Sequence, residues 1–232
     1  MTPESAVVTG AGRGIGRAVA LALATRGLSV ALFARTKTEL DETARQVQAL
    51  GKPEVRAEVV PCDVADAEAV GAACAYALDR LGTPRVVVNN AGVVRRGRLE
   101  TMSLADWDTV LDVNLRGAFL VTRGFLPAMR AAGSGRIINI ASISATLGTA
   151  EQTAYNAAKW GLVGLSKSLA EELRGSGLQS LAVLPGAVDT DMLKGSRFAP
   201  QMSATDVARA VVYAALDAPD AMNGSAFEIF GP

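Results

Sequence analysis

Tyr155 and Lys159 stand four residues apart in QTAYNAAKWGL, the stretch at residues 152–162, whose spacing is that of a helix. Residues i and i+4 of a helix share a face and lie about 6 Å apart along the axis. An ammonium held there favours phenolate over phenol, and each unit taken off the phenol's usual pKa of about 10 corresponds to about 1.4 kcal/mol. A shift of about two to three units brings a tyrosine into the range for acid–base catalysis. The chain of 232 residues has no histidine, so the side chain that most often moves protons near neutrality is missing. A tyrosine and a lysine at this spacing are also an ordinary helix face, and the pair alone decides nothing.

The composition limits what such a pair can serve. With 232 residues, half of them hydrophobic, the chain can bury a large core. Its 23 basic and 23 acidic residues cancel, which gives no reason to expect a nucleic acid or an anionic membrane as partner. The opening MTPESAVVTG lacks the basic and apolar regions of a signal peptide. The longest uncharged runs, 137–150 and 175–188, are shorter than a membrane span and contain Gly or Asn. Cys62 and Cys74 make no disulfide framework, and without histidine nearby a zinc site is not expected. These features point to a soluble, cytoplasmic protein without a metal.

The elements that must position the pair alternate along the chain. Short β-branched runs fall at 5–9, 28–34, 55–60, 85–90, 135–142, 178–184 and 226–230. Between them, 17–25, 40–50, 67–81 and 104–129 carry apolar residues at helical spacing. Thr36 with Glu39, Ser103 with Asp106, and Ser203 with Asp206 have the form of capping boxes at helix starts. Strands alternating with helices imply right-handed crossovers and a parallel sheet covered on both faces. No Pro/Gly/Ser-rich boundary splits the chain. The expectation is an α/β fold, with residues 1–232 forming a single doubly wound, seven-stranded parallel sheet of the Rossmann type.

The first strand runs into TGAGRGIGRAVA, where Gly10, Gly12, Gly14 and Gly16 mark a strand-to-helix turn. Without β-carbons the backbone can approach a ligand closely, and a pyrophosphate suits the positive end of the following helix. The spacing departs from GxGxxG, because Ile15 and Arg17 fall where the pattern differs. A tight turn with no ligand is the bland alternative. After the second strand a carboxylate is expected where a dinucleotide ribose carries a 2′-hydroxyl. Ala34 and Arg35 stand there, and the nearest acid, Glu39, is assigned to a cap. Arg35, approached from the other side by Arg13, suits a 2′-phosphate, which favours NADP(H) over NAD(H). An arginine at a strand end is otherwise a solvated loop residue.

Taken together, these segments resemble the short-chain dehydrogenase/reductase family in its single-domain form. The resemblance runs from Val7 to about Met192 and rests on Thr9-Gly10-x-x-x-Gly14-Ile15-Gly16, Asp63-Val64, Asn89-Asn90-Ala91-Gly92, Asn114, Ser142, Tyr155-x-x-x-Lys159 and Pro185-Gly186-x-Val188-x-Thr190. The surroundings are most similar to 3-oxoacyl-[acyl-carrier-protein] reductases. The resemblance implies that Asp63 and Val64 hold the adenine, while Asn90, Ala91 and Gly92 line the ribose and the floor of the site. It implies that Pro185, Gly186, Val188 and Thr190 flank the nicotinamide carboxamide. Asp63 also reads as a helix cap, and the Asn-Asn-Ala-Gly run also reads as a turn.

The resemblance further implies a catalytic set of Asn114, Ser142, Tyr155 and Lys159. Tyr155 passes a proton to or from the substrate oxygen, and Ser142 positions that oxygen, with Ser144 as a second contact. Lys159 tunes the phenol and binds the nicotinamide ribose. The Asn114 carbonyl holds a water that relays protons. Each also has a bland reading: Ser142 as a turn cap, Asn114 as a surface residue or a helix-bending defect. The implied reaction is hydride transfer between NADPH and a ketone or secondary alcohol, with a 3-oxoacyl thioester as one candidate substrate.

The segment DMLKGSRFAPQ after Thr190 should carry the substrate lid and is short compared with those reductases, so other ketones, sugars and aromatic carbonyls remain candidates. Arg95, Arg96 and Arg98 read either as attractors of an anionic carrier or CoA phosphate, or as a solvated loop. Other functions that fit the fold are a non-catalytic NADP-binding regulator and a sugar or polyol dehydrogenase. An epimerase or dehydratase would usually need a larger substrate domain. Family analogy implies a homo-oligomer, a tetramer or dimer, through the apolar face of the Tyr155 helix and the C-terminal strand.

Overall fold

The computed structural model describes residues 4–231. Seven strands, β1 (Ser5–Thr9), β2 (Ser29–Ala34), β3 (Ala57–Pro61), β4 (Val86–Asn89), β5 (Gly135–Ile140), β6 (Leu178–Pro185) and β7 (Ala226–Ile229), form one sheet. All neighbours pair in parallel, in the order β3-β2-β1-β4-β5-β6-β7. Helices α1 (Gly14–Thr25), α2 (Lys37–Gln48), α3 (Ala67–Leu81), α4 (Leu104–Leu111), α5 (Gly117–Ala132), α6 (Thr153–Glu172) and α7 (Ala204–Val212) cover both faces. No helix among the described residues is long and apolar enough to cross a membrane.

Alternation along buried strands builds the two cores. Ala6 and Val8 of β1, Val86 and Val88 of β4, and Ile138 and Ile140 of β5 face the layer that contains Val19 and Leu23 of α1 and Val207 and Val211 of α7. On the opposite face Val7, Val87 and Ile137 meet Phe125 and Met129 of α5 and Ala73 and Ala77 of α3. Side chains of period two on a sheet buried on both faces are largely apolar, and the buried polar pair Asn89 and Asn139 is joined by a hydrogen bond of 2.9 Å between the two. Each fully buried Val or Ile contributes about 1.5–3 kcal/mol over its exposed state.

Strand order reverses between β1 and β4, and the carboxyl ends of these two strands open a crevice there. The glycine turn follows β1 and the Asn90–Gly92 segment follows β4, so both land at that crevice.

Three local expectations change. Thr36 caps α2 by position but makes no side-chain bond, so no capping box forms there, and Glu39 is released for another role. Ser103 accepts from the Asp106 amide without the return bond, whereas Ser203 and Asp206 form the full reciprocal box. The single helix expected over 104–129 is interrupted by a π-helical turn at Asp112–Arg116. Its cause is Asn114, whose Nδ2 donates to the Val110 carbonyl at 2.8 Å, four residues back, and so competes with the backbone ladder.

Candidate active site

The glycine turn is fastened from beneath. Arg17 donates through Nη2 to the Gly12 carbonyl and through Nε to Thr43 Oγ1 at 3.0 Å, and Thr43 Oγ1 donates to the Ala11 carbonyl at 2.9 Å. Asn90 Nδ2 donates to the Thr9 carbonyl at 2.9 Å, and the Asn90 and Ala91 amides donate to Thr9 Oγ1 at 2.9 and 3.0 Å. A side chain at Gly16 would put its Cβ 2.1 Å from the Gly10 carbonyl oxygen, so only glycine lets α1 begin this close to β1. The sequence pattern gave Arg17 no role, since an arginine in a helical stretch has no signature of a loop anchor.

Above this base lies a cleft of about 450 Å³. Gly10, Gly12, Arg13, Gly14, Ile15, Arg35, Asp63, Val64, Asn90, Ala91, Gly92 and Thr190 all line it, which gathers one wall each from β1, β2, β3, β4 and the segment after β6. Gly16 lies under the turn. Pro185 closes β6, the Gly186 amide donates to the Ile229 carbonyl at 2.8 Å, and Val188 bridges to Met202. These three shape the segment leading to Thr190.

The cleft suits a dinucleotide phosphate. No side chain caps the start of α1 and no acid sits in its first turn, so the donors at this positive helix end are left for an anion. Asp63 is not the cap of α3; Asp66 is, accepting from the Glu68 and Ala69 amides. Asp63 instead accepts from the Ala65 amide at 3.0 Å and stays at the cleft wall. Cys62 shares this wall, and burial pushes its thiol up to about 11, so it remains an unreactive thiol.

The cations of the cleft differ in their commitments. Arg13 pairs with Glu39 at 3.4 Å and lies 3.7 Å from Asp191. Lys194 pairs with Asp191, and Arg95 with Asp106 at 3.2 Å. Among the described residues, Arg35 and Arg96 line the cleft without a carboxylate partner. Glu39, which the sequence pattern assigned to a cap, therefore occupies the cleft beside Arg13.

The four residues expected to act on a substrate converge at the inner end. Tyr155 and Lys159 lie on α6, with Lys159 Nζ 5.6 Å from the centre of the Tyr155 ring. Lys159 is 4 % exposed, and its Nζ donates to the Ile140 carbonyl at 2.8 Å. Ser142 follows β5, where its hydroxyl accepts from the Ser144 amide at 3.1 Å, so it does cap a turn while also facing Tyr155. Asn114 is buried at the π-turn; Nδ2 reaches the Val93 and Val110 carbonyls, both at 2.8 Å, while buried Oδ1 has no partner. A Cβ on Gly92 would lie 2.7 Å from Asn114 Oδ1 and 3.7 Å from Lys159 Nζ. Glycine there keeps open the one space that both polar atoms and the cleft share.

The electrostatics differ from those expected of the pair alone. Loss of water raises the Tyr155 phenol above its usual value, and the Ser142 hydroxyl and the charge of Arg96 pull it back in part. Lys159 is not among the groups that lower the phenol; its ammonium is turned to Ile140, and burial pushes it down to about 8. The resting group is thus a neutral phenol, the form that can give a proton. Such a site, with a proton donor beside a hydroxyl and an open cleft, can reduce a polar double bond with an external hydride source.

A family model described as short chain dehydrogenase matches residues 4–200. The 3-oxoacyl-[acyl-carrier-protein] reductase of Synechocystis sp. is 39 % identical over 210 residues, spanning 90 % of this chain and 84 % of that protein. The 3-oxoacyl-[acyl-carrier-protein] reductase FabG of Staphylococcus aureus is 35 % identical over 98 % of this chain and 97 % of its own length. The crystal structure of levodione reductase superposes with a TM-score of 0.90 at 30 % identity, covering 97 % of this chain and 95 % of that one.

Proposed function

The chain belongs to the short-chain dehydrogenase family, an NAD(P)-dependent oxidoreductase acting on C=O and CH–OH groups, and we propose that it reduces a ketone with NADPH. The relatives named as 3-oxoacyl-[acyl-carrier-protein] reductases make a 3-oxoacyl thioester one candidate substrate. The observation that carries the reading is the meeting of Tyr155, Ser142, Lys159 and Asn114 at the Gly92 end of the cleft.

A reduced nicotinamide held in the cleft would supply the hydride that reaches the carbonyl carbon. The chain supplies the rest. The Ser142 hydroxyl donates to the carbonyl oxygen and fixes it beside Tyr155. Tyr155, held as a neutral phenol, passes its proton to that oxygen as negative charge develops there. Lys159 and Asn114 Oδ1 face the common space at Gly92, from which the phenol is reprotonated and a ribose hydroxyl is held. At the other end, Arg35, without a carboxylate partner among the described residues, would hold a 2′-phosphate and so favour NADP(H), and the α1 terminus would hold the pyrophosphate.

Asn90, Ala91, Asp63, Val64 and Thr190 supply the walls against which the cofactor is oriented. We read residues 1–232 as one unit carrying both cofactor and catalytic groups, working in the cytoplasm with its two buried cysteines reduced. Exposed Trp160 on α6 and Phe230 just after β7 support homo-oligomerisation through the Tyr155 helix and the C-terminal strand. The experiment is NADPH oxidation followed by absorbance against 3-oxoacyl thioesters, simple ketones and sugars. Turnover with at least one ketone is expected. A flat trace with every carbonyl, despite NADPH binding, would instead support a non-catalytic nucleotide-binding protein.

A further inference from the structure

Arg95, Arg96 and Arg98 follow β4 in a row, and the structure separates their duties. Arg95 is paired with Asp106, and Arg98 with Glu100. Arg96 has no carboxylate partner among the described residues, although it stands between these two and lines the cleft. Among the described residues its side chain makes one hydrogen bond, from Nη2 to the Met192 carbonyl at 3.0 Å, across the cleft in the segment after β6. A guanidinium has five N–H donors in a planar fork, so most of its capacity is left over.

The position of Arg96 is fixed from the catalytic side as well. The amide of its neighbour Gly97 donates to the Glu151 carbonyl at 3.0 Å, just before the helix whose first turn bears Tyr155. Glu151 holds this carbonyl out from a left-handed backbone, φ 63°, which costs a non-glycine residue about 1–3 kcal/mol and persists where the surroundings hold it. Arg96 is therefore tied at both ends, over the first turn of α6 and against Met192. This place over the start of the Tyr155 helix agrees with the guanidinium charge helping to lower the phenol.

We infer that Arg96 is a specificity-determining residue that receives a carboxylate carried by the substrate next to its ketone, so that the preferred substrates are free 3-oxo acids. The inference rests on the carbonyl-reductase reading above and narrows its substrate class. A carboxylate near the carbonyl brings a full charge to an uncommitted planar fork and can bind it with two parallel hydrogen bonds. A neutral ester or thioester of the same acid offers a weaker acceptor and leaves the guanidinium without its counter-charge.

The test measures kcat and KM with NADPH for a series of 3-oxo acids, from acetoacetate to medium-chain members, beside their ethyl esters and N-acetylcysteamine thioesters. Wild type is expected to favour each acid over its neutral esters. Arg96→Gln should lower kcat/KM for the acids at least about tenfold more than for the esters, whose own smaller loss comes from the charge removed near Tyr155. Arg96→Lys, which keeps the charge, should recover part of the loss. Equal losses on acids and esters would make Arg96 only a tether for the Met192 segment and overturn the proposal, as would esters or thioesters reduced as well as the acids by wild type. If wild type reduces no ketone of any kind, the reductase reading itself falls, and this inference with it.

Discussion

Lys159 donates its ammonium hydrogen to the carbonyl of Ile140 at 2.8 Å, which fastens the helix bearing Tyr155 to the strand that leads into Ser142. The bond sets the spacing of the two hydroxyls, and it holds a charge in a place that opposes charge. Lowering of the lysine from 10.5 to about 8 corresponds to a penalty of about 3 kcal/mol at neutral pH. Site geometry is thus maintained at some expense of stability.

The first prediction separates those two effects. Lys159→Met removes the buried charge and leaves the Ile140 carbonyl without its donor, a loss of about 1–3 kcal/mol that nearly cancels the gain. Thermal unfolding at pH 7 should show a variant no less stable than wild type by more than about 1 kcal/mol, with ketone reduction reduced at least about a hundredfold. A variant that is both much less stable and fully active would contradict this assignment.

The second concerns pH, with the cofactor absent. Lys159 is charged in both folded and unfolded chains below about 8, so the cost of burying it is fully present there. Between about 8 and 10.5 the unfolded chain still holds the proton and the folded one has released it, so stability from this group rises with pH. Denaturant titrations of wild type and Lys159→Met across this window should differ in slope, the wild type gaining relative to the variant.

The third concerns Asn114. Its amide holds the Val93 and Val110 carbonyls and bends the helix into its π-turn, while Oδ1 faces the space at Gly92. Asn114→Leu should cost about 1–3 kcal/mol, because the buried Val110 carbonyl and the part-buried Val93 carbonyl lose a donor. Asn114→Asp should raise the Lys159 pKa by placing a carboxylate near it, which moves the pH window of the preceding experiment upward. An unchanged window would mean that the two side chains do not share that space.

The fourth addresses cofactor choice. Arg35→Asp should weaken NADPH binding by about tenfold to a hundredfold and spare NADH, measured by quenching or calorimetry. Glu39→Gln removes a carboxylate beside Arg13 and should tighten NADPH by less than about tenfold. If Arg35→Asp binds both nucleotides as wild type does, Arg35 does not contact the phosphate.

Much of this arrangement was legible in the sequence because period and chemistry agree. The inner strands β1, β2, β4, β5 and β6 were marked by aliphatic runs, since the middle of a parallel sheet covered on both faces leaves little solvent side to encode, while the edge strands β3 and β7 carry Glu58 and Glu228. The helix of Tyr155 and Lys159 was legible from its spacing, whereas the break at Asn114 was not, because it depends on the Asn114 amide reaching the Val93 and Val110 carbonyls. What was not legible depends on partners distant in the chain. Thr36 and Glu39 have the form of a capping box, yet Glu39 turns to Arg13, 26 residues earlier. Nothing local distinguishes Arg96 from Arg95 and Arg98, because their difference lies in Asp106, Glu100 and Met192. The direction of the Lys159 ammonium, toward Ile140, follows from packing of α6 on β5 and has no signature in an i, i+4 spacing.

The central claim is that Tyr155 gives the proton to the substrate oxygen while the rest of the site binds the cofactor. Its most direct measurement is Tyr155→Phe, with NADPH binding followed by calorimetry and ketone reduction followed by NADPH absorbance on the same preparation. The account predicts NADPH affinity within about threefold of wild type and turnover lowered by at least about a hundredfold. Turnover near the wild-type rate in a variant that still binds NADPH would contradict it.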